Sequence, residues 1–176
     1  MIEEELDPTR GPLDLGHNPG DGFSVEARIA VFSPTADWQT IVAKENPRNY
    51  GLWITPLGHP TNTPGTLHFS YLPEGASTFC PYYSTRVVAD NAAHHVAVVY
   101  DGSGSFPTVR IFIDGVLDTL TGPCVSARPS VNGGPGANEV IIGQNMQGLS
   151  QIGDVRLYHY AVPDATVQQH AVNPAP

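Results

Sequence analysis

Residues 94–118, HHVAVVYDGSGSFPTVRIFIDGVLD, decide the fold that this chain is predicted to have. Two runs rich in β-branched and aromatic residues, 95–100 and 108–113, are separated by Gly, Ser and Pro, which is typical of two strands joined by a turn. A second turn is predicted at Asp114-Gly115, because the left-handed geometry that Asp-Gly favours matches the twist of paired strands. The stretch therefore predicts strand, turn, strand, turn and strand in an antiparallel sheet.

Similar runs on both sides of this stretch predict further strands. Residues 23–32, FSVEARIAVF, alternate apolar and polar side chains with a period of two, which is typical of a half-buried strand. Residues 163–171, PDATVQQHA, are the one run predicted to be helical, because Pro begins it and Ala, Val and Gln follow at helical spacing. The other runs predicted as strands are 38–45, 50–55, 66–72, 139–143 and 151–160.

Two of these runs resemble a known family. The motif HHVA…YDG…VRIFIDG in residues 94–115 and the run IGDVRLYHYA in residues 152–161 resemble the paired strands and the late strand of the laminin-G-like, concanavalin A-like jelly-roll family. The 23–32 strand is similar to that family's FTVEAWV strand, although Arg28 stands where many relatives have Trp. The resemblance implies an all-β fold, an antiparallel β-sandwich whose work is binding, and we expect Arg28 to be solvated on its outer face.

Length and composition predict one main domain with an N-terminal arm and a short C-terminal tail. The chain has 176 residues, 40% of them hydrophobic, and its 18 Gly and 17 Pro predict many turns. We divide it into an extended N-terminal arm at 1–21, a sandwich domain at 22–172 and a tail at 173–176. Residues 12–16, PLDLG, are the one part of the arm that resembles a strand. Four apolar side chains cannot order such an arm, so we expect it to contact another chain.

The charge of the chain excludes some partners. The net charge is −9 and Lys44 is the single lysine, so the basic surface that nucleic acid requires is missing. No run approaches the roughly 18 to 20 apolar residues of a spanning helix, so we expect no membrane insertion. The N-terminal sequence MIEEELDPTRGP is acidic and does not resemble an export signal. We predict a location outside the cell or on the surface of a virion or similar particle.

Cys80 and Cys124 are the two cysteines, and both lie beside Pro in predicted loops. A disulfide between them would close a loop of about 45 residues and stabilise the fold by about 4 kcal/mol in the loop-entropy model. Two buried free thiols are the alternative. A zinc site is not expected, because the sequence has no CxxC motif and no His-Cys cluster.

The sequence predicts that the protein is not an enzyme. A retaining glycosidase on this fold needs two carboxylates about 5 Å apart, but Glu26 stands alone and Asp154 has no acidic neighbour on its face of the strand. No GxSxG or HExxH motif is present. His94 and His95 are adjacent, so on a strand they face opposite sides and cannot bind one metal together.

Aromatic residues are the candidates for ligand binding. Trp53 points away from the core face that Tyr50, Leu52 and Ile54 share, and the alternative for it is that a second packed layer or a loop covers it. Residues 73–83 are predicted to form an irregular loop, and loops over a rigid sandwich often carry recognition residues. The ligand-binding residues that we predict are Trp53, Phe79, Tyr82 and Tyr83; the alternative for the loop aromatics is that they close one end of the core.

Calcium is a cofactor that the family resemblance implies, because many relatives hold it at the rim of the sandwich. The candidate ligands in this chain are Asp37, Asp101, Asp114 and Asp118. Asp101 and Asp114 each precede Gly, so turn formation is the alternative explanation for both.

Two functional classes remain. The first is a structural component of a larger surface assembly, such as a virion decoration or fibre protein, which binds a protein partner through the sandwich and its arm. The second is a stand-alone module that binds a surface glycan or glycoprotein, as the resemblance implies. The sequence favours the first, because no export signal is visible in it and the sandwich stands as a single domain.

Overall fold

The computed structural model describes residues 13, 15–16, 20–44, 49–73, 75–121, 124, 139–148 and 150–173. Within these residues the chain forms eleven β-strands and one α-helix. In chain order they are β1 (Gly22–Ala30), β2 (Gln39–Lys44), β3 (Tyr50–Ile54), β4 (Thr66–Tyr71), β5 (Cys80–Val87), β6 (Ala93–Asp101), β7 (Thr108–Ile113), β8 (Val116–Leu117), β9 (Leu120–Thr121), β10 (Val140–Ile142), β11 (Gln151–Tyr158) and α1 (Asp164–Val172).

The strands form two antiparallel sheets. One has five strands in the order β11-β1-β6-β7-β8, and the other has six in the order β10-β2-β3-β4-β5-β9. The predicted hairpin is β6 and β7, which pair from Val96 opposite Ile113 to Asp101 opposite Thr108. The predicted fold class, an antiparallel β-sandwich, is confirmed.

The core lies between the inner faces of the two sheets. On β1 the alternate residues Phe23, Val25, Ala27 and Ile29 are almost fully buried, as the period of two predicts. Aromatic rings fill the middle: the Phe23 ring stacks on that of Tyr100 at 5.0 Å between centroids. Aromatic pairs at this separation add to the free energy gained from area burial alone.

The helix α1 packs on the outer face of the five-stranded sheet and forms a second, smaller core. Its Val167 is buried there together with Val162, Ala97, Val99 and Phe112. The expectation that Arg28 is solvated holds only in part, because its side chain is 31% exposed but also contacts α1. Its Nη2 atom donates hydrogen bonds to the carbonyl oxygens of His170 and Ala171, because Arg28 lies on the face that α1 covers.

Strand β5 begins at Cys80, within the 73–83 stretch for which the sequence predicts an irregular loop. The Pro in CPYYSTRV argues against a strand, since it cannot donate to the ladder. In the structure Pro81 lies opposite Ser70 of β4. On the other side of β5, the pairs that the described residues form with β9 are at Tyr83 and Ser84.

Cys80, the first residue of β5, forms a disulfide with Cys124. Their Cα atoms are 4.9 Å apart and the two residues are 44 positions apart in the sequence. Cys80 is buried in the main core, and Cys124 packs against that core. The bond therefore ties the segment after β9 to the start of β5.

Part of the N-terminal arm is described, and that part contacts its own domain. Leu15 is fully buried in the main core, and the carbonyl oxygen of Leu13 accepts a hydrogen bond from the Tyr50 hydroxyl at 3.3 Å. Both lie in turns, so the strand suggested for 12–16 is not seen at these positions. The predicted contact of the arm with another chain concerns residues that lie mostly outside the described ones. Among the described residues, no helix has the length and apolar character to cross a membrane.

Candidate functional site

The outer face of the six-stranded sheet carries a row of ring side chains on neighbouring strands. Trp53 of β3 lies opposite His68 of β4, and His68 lies opposite Tyr83 of β5. Residues directly opposite each other on paired strands point to the same face, so these three rings lie side by side. Two loop residues join them, Trp38 before β2 and His59 after β3, and we call these five residues the ring cluster.

His68 is the centre of the ring cluster. Its ring centroid lies 4.8 Å from that of Trp38, 5.5 Å from that of Trp53 and 4.6 Å from that of Tyr83. The His59 ring lies further out, 5.6 Å from Trp38 and 5.5 Å from Tyr83. Trp38 and His59 meet edge to face at 78°. The outer rings therefore form a corner, not a flat surface.

The ring cluster has a buried base and a half-buried top. Trp53 is 4% exposed and His68 is 7% exposed. Trp38, His59 and Tyr83 are half-buried residues, each with part of its surface open to solvent. The two buried rings fix the positions of the three outer ones, because packed side chains have little freedom to rotate.

Gly51 explains why the Trp53 indole can lie along β3. A Cβ atom on Gly51 would overlap the six-membered ring of Trp53. Gly51 and Trp53 are two residues apart on one strand, so they share the outer face. The missing side chain at Gly51 makes the space that the indole occupies.

The ring cluster also carries polar groups. Burial raises the pKa of the Tyr83 phenol, so it stays protonated near neutral pH. The Nδ1 atom of His59 accepts hydrogen bonds from its own loop, at 3.1 Å from the backbone nitrogen of Asn62 and 3.4 Å from that of Thr61. The site thus combines aromatic surface with a few oriented polar groups, which is the usual composition of a small-molecule site.

Two of the four predicted ligand-binding residues belong to the ring cluster. Trp53 points to the outer face, as its position in the strand predicts, and Tyr83 lies beside it. Tyr82 has the opposite orientation: it is 5% exposed and belongs to the main core. That residue is corrected to a core residue, because neighbours on a strand face opposite sides. Phe79 is 43% exposed and precedes β5.

Trp38, His59 and His68 were not identified from the sequence. His68 is on a predicted strand, and its alternation with Leu67 and Phe69 gives its face. What the sequence does not give is the pairing of β4 with β3 and β5, which puts His68 between two other rings. Trp38 and His59 lie in loops, whose paths depend on the finished sheet.

The carboxylates predicted to bind calcium are not brought to one place. Asp101 and Asp114 lie at opposite ends of the β6–β7 hairpin. The Asp101 side chain accepts a hydrogen bond from the Ser103 backbone, as in a turn, and Asp114 accepts one from the backbone of His95. In the part of the chain that is described, no three His, Cys, Asp or Glu side chains are placed to hold a metal ion. The candidates concerned are Asp37, Asp101, Asp114 and Asp118.

A second group of polar residues lies under α1, on the other sheet. Glu26 is 1% exposed, and its Oε2 atom lies 2.9 Å from Nδ1 of His170 and 3.3 Å from Nε2 of His95. Burial raises the pKa of Glu26, but the hydrogen bonds from His95 and His170 lower it further, so the pKa lies below its ordinary value. This group joins α1 to the sheet.

Comparison with known proteins gives one family and several structures of the same fold. The family model described as "Concanavalin A-like lectin/glucanases superfamily" matches residues 11–168. No curated protein matches. Domain 4 of AbnA, a GH43 extracellular arabinanase from Geobacillus stearothermophilus, in complex with arabinotriose, superposes with a TM-score of 0.56 at 19% identity, over 89% of this chain and 69% of that chain.

Two neurotoxin structures are also similar. The botulinum neurotoxin type G receptor binding domain has a TM-score of 0.57 at 11% identity, over 90% of this chain and 41% of that chain. A botulinum neurotoxin type C structure, described by its interaction with two ganglioside molecules, has a TM-score of 0.56 at 14% identity, over 86% of this chain and 35% of that chain. The chain therefore spans less than half of either toxin structure, and these likenesses concern the fold.

Proposed function

Because the chain belongs to the concanavalin A-like lectin/glucanases superfamily, we propose that it is a non-catalytic carbohydrate-binding module that contacts its ligand through the ring cluster. The observation that supports this most is the two-layer arrangement of the rings. Trp53 and His68 are buried, while Trp38, His59 and Tyr83 keep open surface directly above them. Half-open rings in fixed positions can stack against the apolar face of a sugar at little cost in side-chain entropy.

The structural neighbours support the same class of ligand. The arabinanase domain is described in complex with arabinotriose, and the type C neurotoxin by its interaction with gangliosides. Carbohydrate is therefore a ligand class that two proteins of this fold bind. The arabinanase is described as extracellular, and we propose an extracellular location or a particle surface for this chain.

The charge of the chain favours a neutral saccharide. The net charge is −9, and the rings of the cluster carry no cationic side chain among them. An acidic glycan would approach a surface of like sign, which slows association and weakens binding at low salt. The proposal assigns calcium no part at the ring cluster, so chelation with EDTA is expected to leave binding unchanged.

The assembly function predicted from the sequence stays a prediction. It depended on the arm at 1–21 contacting another chain, and most of the arm lies outside the described residues. A particle protein could still use the ring cluster for recognition, so the two functions are compatible. The ring cluster supports the binding function directly.

The test is an array of immobilised oligosaccharides followed by calorimetry. The array carries neutral oligomers of arabinose, xylose, glucose, mannose and galactose, including arabinotriose, beside sialylated and uronic acid glycans. Trp38→Ala and Tyr83→Ala are expected to weaken binding of a retained neutral oligomer about tenfold or more, since each removes a stacking surface. Phe106→Ala is the control, because Phe106 is 58% exposed in the β6–β7 loop.

Three results would contradict the proposal. The first is that the native chain retains no neutral glycan. The second is that Trp38→Ala and Tyr83→Ala bind as the native chain does. The third is cleavage of any array glycan by the native chain, which would contradict the non-catalytic part.

A further inference from the structure

His59 has a hydrogen-bond pattern that fixes where its ring proton lies. Its Nδ1 atom is 3.1 Å from the backbone nitrogen of Asn62, 3.4 Å from that of Thr61 and 3.3 Å from the side-chain nitrogen of Asn62. The backbone nitrogens are donors in every state, so Nδ1 must accept. The ring is therefore neutral, and its one proton is on Nε2.

The loop itself produces this arrangement. Residues 59–62, HPTN, form a turn in which the backbone N–H groups of Thr61 and Asn62 converge on the side chain two and three residues before them. Pro60 in the turn has no N–H of its own and fixes its backbone angle. The loop thus positions the imidazole through hydrogen bonds to its Nδ1 atom.

The His59 ring is also one of the three half-buried rings of the ring cluster. The His59 ring is half-buried and lies 5.6 Å from the Trp38 ring and 5.5 Å from the Tyr83 ring. Within the residues that the structure describes, the hydrogen bonds of the His59 ring all involve Nδ1. The Nε2–H group is therefore a donor that is left for a ligand, on a ring that the loop holds beside the Trp38 and Tyr83 rings.

We propose that His59 determines the specificity of the ring cluster, by donating a hydrogen bond from Nε2–H to a hydroxyl or ring oxygen of a neutral saccharide that stacks on Trp38 and Tyr83. This inference rests on the proposed function and adds the polar contact that selects among sugars. Stacking accepts any flat apolar face, whereas one directed donor rejects a sugar that lacks an oxygen at that place.

Two substitutions of His59 test the roles of Nδ1 and Nε2 separately. His59→Asn places an amide oxygen near the position of Nδ1, which keeps the acceptor for the loop and removes the distal donor. His59→Gln places an amide nitrogen near the position of Nε2, which keeps a donor and removes the loop acceptor. Affinity for each retained neutral oligomer is measured by calorimetry at about pH 7.5, and hydrogen exchange of the Thr61 and Asn62 amides reports the loop.

We expect affinity for the oligomer to depend on the donor at the Nε2 position. We expect the hydrogen-exchange protection of the Thr61 and Asn62 amides to depend on the acceptor at the Nδ1 position. His59→Asn should keep the protection of both amides and bind about tenfold more weakly, which is the loss of one neutral hydrogen bond. His59→Gln should lose the protection yet bind more tightly than His59→Asn. If His59→Asn binds as the native chain does, or if His59→Gln binds more weakly than His59→Asn, the donor role is wrong.

Nitrogen-15 spectra of the histidine rings test the tautomer without any ligand. The native chain at about pH 7.5 should show His59 protonated on Nε2 alone; a proton on Nδ1 would overturn the inference. The two proposals fail in different ways. Loss of binding in Trp38→Ala with native affinity in His59→Asn refutes the donor and leaves the proposed function intact, whereas a chain that retains no neutral glycan refutes both the function and the donor.

Discussion

The Nη2 atom of Arg28 lies 2.7 Å from the carbonyl oxygen of His170, so a side chain of strand β1 closes the C-terminal end of helix α1. The same atom is 3.0 Å from the carbonyl oxygen of Ala171. Carbonyl groups in the last turn of a helix have no partner within the helix and carry partial negative charge. Because Val167 is the one residue of α1 that is fully buried, these polar contacts matter for holding the helix on the sheet.

Replacing Arg28 should loosen α1. Arg28→Met keeps the length of the side chain and removes two hydrogen bonds from a charged donor, so we expect the free energy of unfolding to fall by about 1 to 2 kcal/mol. Arg110→Met is the matched control, since Arg110 forms a partly exposed ion pair with Asp164 at the other end of α1. Such pairs contribute less than about 1 kcal/mol. Urea unfolding and hydrogen exchange of α1 amides measure both, and equal effects would contradict the capping role.

Glu26 gives the sandwich an acid-sensitive contribution to stability. Its folded-state pKa lies below the ordinary value of 4.5, because the hydrogen bonds from His95 and His170 outweigh the effect of burial. A depressed pKa stabilises the fold above the unfolded-state value, and this stability is lost as the pH falls through the folded-state pKa. The stability difference between the native chain and Glu26→Gln should therefore be about 1 to 3 kcal/mol near pH 7 and shrink below about pH 4.5.

The control for this pH dependence is Asp37→Asn, because Asp37 is exposed. Urea midpoints are measured from about pH 7 to about pH 3 for the three proteins. We expect Asp37→Asn to follow the native curve. A difference between Glu26→Gln and the native chain that stays constant over this range would show that the charge of Glu26 has no part in docking α1.

The outcome for β1 shows which parts of this fold the sequence can predict. The residues of β1 that face the core are predicted correctly from the alternation of apolar and polar side chains, which is a local property of the sequence. The role of Arg28 depends on α1, whose His170 is 142 residues away in the sequence, and no local pattern carries that contact. The ring cluster is similar, since Trp53 and Tyr83 were found from their strands and runs, but His68 and the two loop rings become neighbours only when β3, β4 and β5 pair.

The disulfide should contribute a large part of the stability. In the loop-entropy model, closing a loop with a separation of 44 residues stabilises the folded chain by about 4 kcal/mol. Cys80→Ala with Cys124→Ala should therefore lower the free energy of unfolding by about 3 to 4 kcal/mol; alanine is used because Cys80 is buried and a hydroxyl there would be unsatisfied. The native chain in reductant should show a similar loss. Equal unfolding midpoints with and without reductant would show that the bond is absent in solution.

Gly51 offers a test of the ring cluster that leaves its five side chains unchanged. Gly51→Ala places a methyl group where the Trp53 indole lies, so the indole must move and release the rings packed on it. We expect binding of a retained neutral oligomer to weaken about tenfold or more, a changed near-ultraviolet circular dichroism spectrum, and a stability loss of about 1 to 3 kcal/mol from overpacking. Gly153→Ala in β11 is the matched control, since its methyl group would enter open space, and we expect it to bind as the native chain does with stability within about 0.5 kcal/mol. Gly51→Ala could bind the oligomer as tightly as Gly153→Ala while its spectrum shows that the indole has moved. That result would show that the buried rings of Trp53 and His68 do not position the outer rings, and that the ligand contacts lie elsewhere on the sandwich.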